Sequence, residues 1–227
     1  MIRFAKLPFK PDIQAIQQET RLMLMKAWSP HFNKSHYQGD WEVLSLRSLG
    51  GKADSIFPES TSQQFGYSDT PLLAEFPGVQ KLIQQFKCPL MTVRLLNLKA
   101  GSIIKKHKDI GLCFEQGEAR LHFPIFTNSS VRFMVDEQIV DMHEGECWYI
   151  NANRLHEVAN YGTADRVHLV IDCQVNEWLQ GCFDQSEKTL VEEKQNREEM
   201  LRIIIELRLQ NTLASNQIAD QLQKELC

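Results

Sequence analysis

The chain has 227 residues, of which 25 are Lys or Arg and 29 are Asp or Glu, and its formal net charge is −4. With 43% hydrophobic and 24% charged residues it has the composition of a globular protein, which excludes disordered, collagenous and membrane-spanning classes. The acidic balance also argues against nucleic acid as the main partner, because phosphate binding needs a basic surface.

The N-terminal segment and the cysteines indicate where the protein works. Lys6, Pro8 and Lys10 interrupt the apolar stretch that a signal peptide needs, and the most apolar windows are too short to span a bilayer. The six cysteines are spread singly with no CxxC motif, which is typical of a reducing compartment. We therefore expect a cytoplasmic protein without membrane association.

The first part of the chain predicts a helix, a strand and a long irregular segment. Apolar residues recur at helical spacing from Pro11 to Trp28, and Trp41 to Ser48 has the pattern of a strand. Gly, Ser, Thr, Asp and Pro dominate from Gly50 to Pro71, and such a segment is either a surface loop or a functional lid. A short helix is predicted from Val79 to Phe86.

The middle of the chain, from about Met91 to Cys173, is a succession of β-rich runs: MTVRLLNL, RLHFPIFT, VRFMVDE, ECWYIN and RVHLVIDC. Turn signals such as Ala100-Gly101 and Glu144-Gly145 separate these runs. Short strands at a spacing of roughly 8 to 12 residues predict a sandwich or a barrel, not alternating βαβ units. We expect a mainly β core here, flanked by helices on both sides.

The C-terminal part has a helical pattern. Ser186-Glu187 could open a helix, apolar residues recur at helical spacing between Met200 and Leu207, and a second polar helix is predicted around Gln217 to Leu226. We therefore divide the chain into residues 1–176, with the β core at about 91–173, and a helical extension at 177–227. The extension is expected to pack on the core or on a second subunit, as in a homodimer.

An H-x-D triplet within the β core is the first candidate site. His107 and Asp109 are two residues apart, so in extended backbone their side chains project to one side, and pairing of strands could bring in His156, 49 positions after His107. Two histidines and one carboxylate form the facial triad of non-haem iron, so Fe(II) is the first metal to test. The alternative, a surface pair beside lysines with an unrelated His156, stays open at this point.

Basic residues in two later runs suggest an anion site next to the triplet. Arg120 and His122 share one face of their run, and Arg166 and His168 share one face of theirs. A buried arginine needs an anionic partner and can hold a carboxylate through two hydrogen bonds. For a single arginine, a structural ion pair with Asp172 or Glu118 is the simpler explanation, but two arginines with paired histidines near the triplet favour an anion site. His168 either lines the cavity or is a core residue.

The sequence pattern gives weaker support to the remaining polar residues as candidate site residues. His31, His36 and His143 lie in polar stretches, and we expect them at the surface. Arg94, Trp148 and Asn151 could reach a substrate from their strands, although packing or hydrogen bonding explains each of them equally well.

Between Val93 and Asp172 these residues form an ordered set, in VRLLNLKAGSIIKKHKD, ARLHFPIFTN and GECWYINANRLHEVANYGTADRVHLVID. The set resembles the aspartyl/asparaginyl β-hydroxylase family of Fe(II)/2-oxoglutarate-dependent oxygenases, which is related to bacterial proline hydroxylases. The resemblance implies a double-stranded β-helix, a jelly-roll and cupin-like fold.

The resemblance also implies roles for individual residues. His107, Asp109 and His156 would bind iron, Arg166 would hold the distal carboxylate of 2-oxoglutarate, and Arg120 and His122 would help to hold this co-substrate. The implied enzyme uses dioxygen to hydroxylate an unactivated C–H bond of an amino acid, free and proline-like or within a peptide, and decarboxylates 2-oxoglutarate to succinate. Residues 1–176 would then be the oxygenase domain.

One departure from the family limits what can be carried over about the substrate. The animal family members that hydroxylate Asp and Asn in protein domains have a glycine where this chain has Asp109, so protein substrates do not follow from the resemblance. Two other functions stay open: a non-oxygenase cupin-like protein that binds a metal and an anion as a sensor or isomerase, and an interaction module acting through the C-terminal helices.

Overall fold

The computed structural model describes residues 1–26, 28–55, 66–191 and 193–226. Ala27, at the end of the first predicted helix, and residues 56–65, in the segment considered as a lid, lie outside the described residues. The chain forms two compact units, Ile2–Thr189 and, together with Met1, Leu190–Cys227. No helix in the described part combines the length and the apolar character that crossing a membrane requires.

The described strands form two sheets. The strands of the larger sheet are β1 (Ile2–Leu7), β2 (Ser29–Pro30), β4 (Trp41–Leu49), β5 (Tyr67–Asp69), β6 (Leu90–Leu98), β8 (Glu118–Phe126), β11 (Cys147–Ile150), β13 (Arg166–Gln174) and β14 (Glu187–Leu190). The strands of the smaller sheet are β3 (Tyr37–Gln38), β7 (Ile103–His107), β9 (Val131–Val135), β10 (Gln138–Ile139) and β12 (His156–Asn160).

The order of the strands is that of a double-stranded β-helix. The larger sheet runs β14-β1-β11-β8-β13-β6-β4-β2, with β5 beside β4, and the smaller runs β10-β9-β12-β7-β3. The central pairs β13–β8, β13–β6 and β12–β7 are antiparallel, and consecutive strands of the chain repeatedly change sheet. The predicted jelly-roll fold with flanking helices is therefore confirmed.

Side chains alternate across the larger sheet and create two cores. Leu121, Phe123 and Leu169 lie in a buried cluster together with residues of the helices α1 (Ile13–Leu24), α2 (Pro77–Ile83) and α3 (Glu177–Asp184). Residues of the opposite parity in β13 and β6, Val170 and Leu96, belong to a second cluster with residues of the smaller sheet. Because strand side chains alternate between faces, the polar residues that share a parity with Val170 also point between the sheets.

Several local predictions are confirmed and one is wrong. The β-rich runs of the core and the strand beginning at Trp41 are present, and the two N-terminal helices lie within a few residues of their predicted bounds. Ser186-Glu187 does not open a helix, because residues 187–190 form the edge strand β14 beside β1. The available edge of a sheet outweighs a helix signal of only a few residues.

The second unit contains two helices, α4 (Glu193–Gln210) and α5 (Leu213–Glu225). Thr212 opens α5 with a reciprocal capping box, in which Thr212 and Ser215 each accept a hydrogen bond from the other's backbone N–H. Arg208 forms a 2.9 Å ion pair with Asp220 across the hairpin.

Candidate active site

Three possible metal ligands converge beside the smaller sheet. One ligand atom from each of His107, Asp109 and His156 lies within 4.8 Å of the others. His107 ends β7 and His156 begins β12, where the two residues are direct cross-strand partners. Asp109 lies two residues beyond the end of β7, and its backbone N–H donates to the carbonyl of Ala152 at 2.8 Å. Strand pairing and one turn thus bring together the three residues that were predicted to bind a metal.

Hydrogen bonds to the backbone orient both histidines for metal binding. Nδ1 of His107 lies 2.7 Å from the carbonyl oxygen of Lys105, and Nδ1 of His156 lies 2.9 Å from that of Arg154. A carbonyl can only accept, so each Nδ1 carries a proton, and Nε2 is the nitrogen of each ring that can bind a metal. Burial, followed by the neighbouring His107, lowers the pKa of His156 to about 4, so this ring is neutral at physiological pH.

The carboxylate of Asp109 is held in its ionised form. Burial alone raises its pKa, but the Arg120 guanidinium and the two histidines outweigh burial, and the pKa lies below its ordinary value. Arg120 donates from Nη1 to Oδ2 of Asp109, while Oδ1 lies 3.7 Å from Nε2 of His107. The donor set of two imidazoles and one carboxylate suits a divalent transition metal.

Arg120 joins this carboxylate to a second, deeply buried one. Its Nε and Nη2 donate to the two oxygens of Asp172 at 2.7 and 3.1 Å. Asp172 also accepts from Arg94 Nη2 at 2.7 Å and from the Thr92 hydroxyl at 2.8 Å. Burial raises the pKa of Asp172, but the two arginines outweigh it and hold the pKa well below its usual range. All three nitrogens of the Arg120 guanidinium therefore face carboxylates, and its predicted contact with a co-substrate stays a prediction.

Arg166 has a different environment, although it too is buried, with 2% of its surface exposed. Its Nη2 lies 2.7 Å from Nδ1 of His168, and its guanidinium carbon lies 5.7 Å from the centre of the Phe133 ring. Its Nε has no hydrogen-bond partner. Burial lowers its pKa to about 9, so the group is still charged at neutral pH. A buried cation that is held by a neutral ring and an aromatic face is a suitable site for an anion.

His122 completes this polar group. Its Nδ1 is buried without a partner, and its ring lies 5.8 Å from that of His168 in an edge-on arrangement. Burial and then the charge of Arg166 hold the pKa of His122 well below its ordinary value.

A cavity between the two sheets contains both the metal cluster and the anion site. The residues that line it are Trp41, Leu96, Ile104, His107, Asp109, Arg120, His122, Phe133, Ile150, Ala152, His156, Val158 and Arg166. A neighbouring cavity shares His107, Asp109 and Arg120 and adds Arg94 together with residues 31–33 and His36. The metal cluster and Arg166 thus face one cavity, and a second cavity adjoins the metal cluster.

Trp148 and Asn151 take part in other contacts. The Trp148 indole donates to Glu146 at 2.8 Å and packs against Phe4, and the Asn151 amide donates to the carbonyl of Ile2 at 2.9 Å. Both therefore help to attach β1 to β11, and a role for either in substrate binding stays a prediction.

Comparison with known proteins identifies the family. A family model described as aspartyl/asparaginyl β-hydroxylase matches residues 10–175, a range that includes the metal cluster and Arg166. The chain belongs to the aspartyl/asparaginyl β-hydroxylase family. The predicted family resemblance is thus confirmed.

A curated relative of this β-hydroxylase family member is the L-proline cis-4-hydroxylase of Rhizobium meliloti (strain 1021), which is 28% identical over 136 residues. The match covers 59% of the chain and 48% of the relative, so the chain spans about half the length of that protein.

Solved structures with a similar fold include a Pseudomonas putida prolyl-4-hydroxylase, with 9% identity, a TM-score of 0.47 and coverage of 78% of this chain and 94% of that one. Another is a 2OG-Fe(II) oxygenase family oxidoreductase of Burkholderia pseudomallei. It has 12% identity and a TM-score of 0.46, and the match covers 76% of this chain and 85% of that one.

Two histidines that were predicted to lie at the surface, His31 and His36, lie near the site. His31 is 7% exposed, stacks on Trp41 with ring centroids 3.5 Å apart, and lines the cavity beside the metal cluster, so the prediction of a surface position is wrong. The ring of His36 lies 5.1 Å from that of His107. Only the pairing of β2 with β4 brings His31 onto Trp41, and no local spacing signals this contact. His143 is exposed, as predicted.

Proposed function

We propose that the protein is an Fe(II)- and 2-oxoglutarate-dependent dioxygenase that hydroxylates an unactivated C–H bond of an amino acid and decarboxylates 2-oxoglutarate to succinate. The observation that carries the proposal is the shared cavity. It contains a cluster of two histidines and a carboxylate next to Arg166, for which the described residues supply no acidic partner.

The charges of the site fit the two groups. His107, His156 and ionised Asp109 would hold a divalent iron with one net positive charge left over, which would favour the keto-acid end of a dianion. Arg166 then offers its charge to the distal carboxylate. Bound Fe(II) supplies the activation of dioxygen that C–H oxidation requires. The protein's own residues hold the ligands in place, with Arg120 fixing Asp109, and Leu96, Phe133 and Val158 keep the cavity wall apolar.

The substrate class follows from the relative and from the neighbouring cavity. We propose a free amino acid, with L-proline the first to test, because the R. meliloti relative is named for hydroxylating it. Beside the metal cluster, Nε of Arg94 and Nε1 of Trp41 are buried donors without acceptors, and they lie where a small polar substrate would need them. A peptide containing Asp or Asn is the alternative substrate.

A binding and turnover experiment tests this function. Purified protein is mixed anaerobically with Fe(II) and 2-oxoglutarate, and the visible charge-transfer band of the chelate is recorded. Oxygen is then admitted with a panel of free amino acids and short peptides, and succinate and the gain of one oxygen atom in the substrate are measured. The matched pair of variants is His107→Ala, which should lose both signals, and His143→Ala, which should keep them. Absence of the band and of succinate from the wild-type protein would refute the proposal.

The helical unit and the location of the protein are further parts of the proposal. Ile205, Leu209 and Leu213 of the α4–α5 hairpin are 59–79% exposed, which supports a homodimer formed through these helices. Light scattering should give twice the monomer mass, and Leu209→Lys should reduce it to the monomer mass.

The five described cysteines are free thiols, which supports a cytoplasmic location. Fractionation of cells with an antibody to the protein would test this.

A further inference from the structure

The hydrogen bond between Arg166 and His168 determines which nitrogen of His168 carries a proton. Nη2 of Arg166 lies 2.7 Å from Nδ1 of His168, and a guanidinium can only donate. Nδ1 must therefore accept. Burial holds the pKa of His168 well below its ordinary value, and the charge of Arg166 and the neighbouring His122 lower it further, so the ring is neutral. A neutral imidazole that accepts at Nδ1 carries its proton on Nε2.

This arrangement fixes the guanidinium of Arg166 on two sides. His168 holds one edge through Nδ1, and the ring of Phe133 lies 5.7 Å from the guanidinium carbon. Arg166 and His168 are two residues apart on β13, so both side chains point to the same face of the strand. Arginine has several freely rotating bonds, and a fixed guanidinium loses less conformational entropy when it binds a ligand.

The polar atoms around this pair lack partners. Nε of Arg166, Nε2 of His168 and Nδ1 of His122 are all buried without a hydrogen bond. Two of these atoms belong to donors, and an unsatisfied buried donor is costly. Of the two residues, Arg166 lines the cavity that contains the metal cluster, whereas His168 lines a separate cavity behind Phe133. The charge and the unpartnered Nε of Arg166 are satisfied best by an oxyanion with more than one acceptor oxygen, which is the chemistry of a carboxylate.

We infer that His168 is a positioning residue, whose Nδ1 orients Arg166 for the distal carboxylate of a 2-oxo dicarboxylic acid. The inference rests on the proposed function. It extends that function to His168, whose role in co-substrate binding we infer from its hydrogen bond with Arg166. It predicts that His168 contributes to the affinity for keto acids with a second carboxylate and contributes nothing for keto acids that lack one.

The experiment compares two keto acids on matched variants. Calorimetry with Mn(II)-loaded protein, which does not turn over, measures the binding of 2-oxoglutarate and of 2-oxobutanoate, which has no distal carboxylate. His168→Leu removes the acceptor and should weaken 2-oxoglutarate about 10- to 100-fold, the range for a hydrogen bond to a charged group, while 2-oxobutanoate is unchanged. His168→Asn places an amide oxygen near the position of Nδ1 and should restore most of the affinity, whereas His168→Gln, whose amide reaches the position of Nε2, should not.

The outcomes separate this inference from the function on which it rests. Equal binding of 2-oxoglutarate by wild-type protein and His168→Leu would overturn it, and so would an equal loss for both keto acids, which indicates a general structural role. Wild-type protein that binds 2-oxoglutarate no better than 2-oxobutanoate would refute the proposed anion site itself, and the inference with it. Circular dichroism of each variant confirms that the fold is kept.

Discussion

Replacement of Asp172 by asparagine should strongly destabilise the β core, because it leaves two buried arginines short of negative charge. Arg94 and Arg120 together face the two carboxylates Asp172 and Asp109, so the buried network is neutral. At an effective dielectric constant of about 20, each unit-charge pair at roughly 4 Å contributes about 4 kcal/mol. Removal of one partner from a buried ion pair typically costs about 3–5 kcal/mol after relaxation. We expect a loss of that size for Asp172→Asn.

The assay is urea unfolding of metal-free protein, followed by near-ultraviolet circular dichroism. The control is the double variant Asp172→Asn with Arg94→Met, in which one buried positive charge is removed together with the negative one. Because the double variant restores a neutral network, it should be more stable than Asp172→Asn alone, although Arg94 itself loses its packing. The affinity for Mn(II) should fall in Asp172→Asn and remain low in the double variant, because Arg120 loses the carboxylate that aligns it with Asp109.

Two results would refute this reasoning. One is a free energy of unfolding for Asp172→Asn within about 0.5 kcal/mol of wild type, the range of a neutral surface substitution. The other is a double variant that is less stable than Asp172→Asn by as much as Arg94→Met alone destabilises the wild-type protein. Either result would mean that the carboxylate of Asp172 does not compensate the charges of the two arginines.

Three further predictions concern other parts of the first unit. Burial, followed by the charge of Arg94, lowers the pKa of His31 in the folded protein to about 3, so the unfolded state takes up a proton as pH falls below about 6.5 while the folded state does not. Between pH 7.5 and pH 5, the free energy of unfolding of the wild type, measured by urea titration, should therefore fall by about 2 kcal/mol more than that of His31→Phe. An equal fall for the two proteins would contradict this. Gly39→Ala should lower the free energy of unfolding by at least about 1 kcal/mol more than Gly101→Ala does. Both glycines have positive φ, but only at Gly39 would a Cβ lie 2.3 Å from the Ser102 hydroxyl. Thermal unfolding measures both variants, and equal changes in melting temperature would show that Ser102 moves aside freely. His156→Ala should reduce Mn(II) affinity at least 100-fold in calorimetry with no change of fold, and unchanged affinity would exclude it as a ligand.

The sequence predicted the parts of this molecule that depend on local pattern. Alternation of polar and apolar residues predicted that Arg120 and His122 share one face of their strand, and the structure has this face, together with Arg166, toward the cavity. Strands such as β1 and β7 were not predicted, because their residues become strands through pairing with distant partners. His31 was misplaced for the same reason.

The contacts within the polar network depend on distances that no spacing encodes. Asp172 was considered only as a possible ion-pair partner of one arginine, and in the structure it holds two. That arrangement requires β6, β8 and β13 to lie side by side in register, with Asp172 opposite Arg120. Periodicity gives the face on which a residue lies, and tertiary pairing decides what it meets there.

The cross-strand pairing of His107 with His156 gives the smaller sheet little tolerance of changes in length. Side chains alternate from one face to the other, so one additional residue in β7 would turn His107 away from the cavity while Asp109 and His156 kept their positions. Deletion of one residue would do the same. Natural variation in this part of the chain should therefore take the form of exchanged side chains, and insertions should collect in loops remote from β7 and β12, where a change in length leaves the register of the two histidines intact.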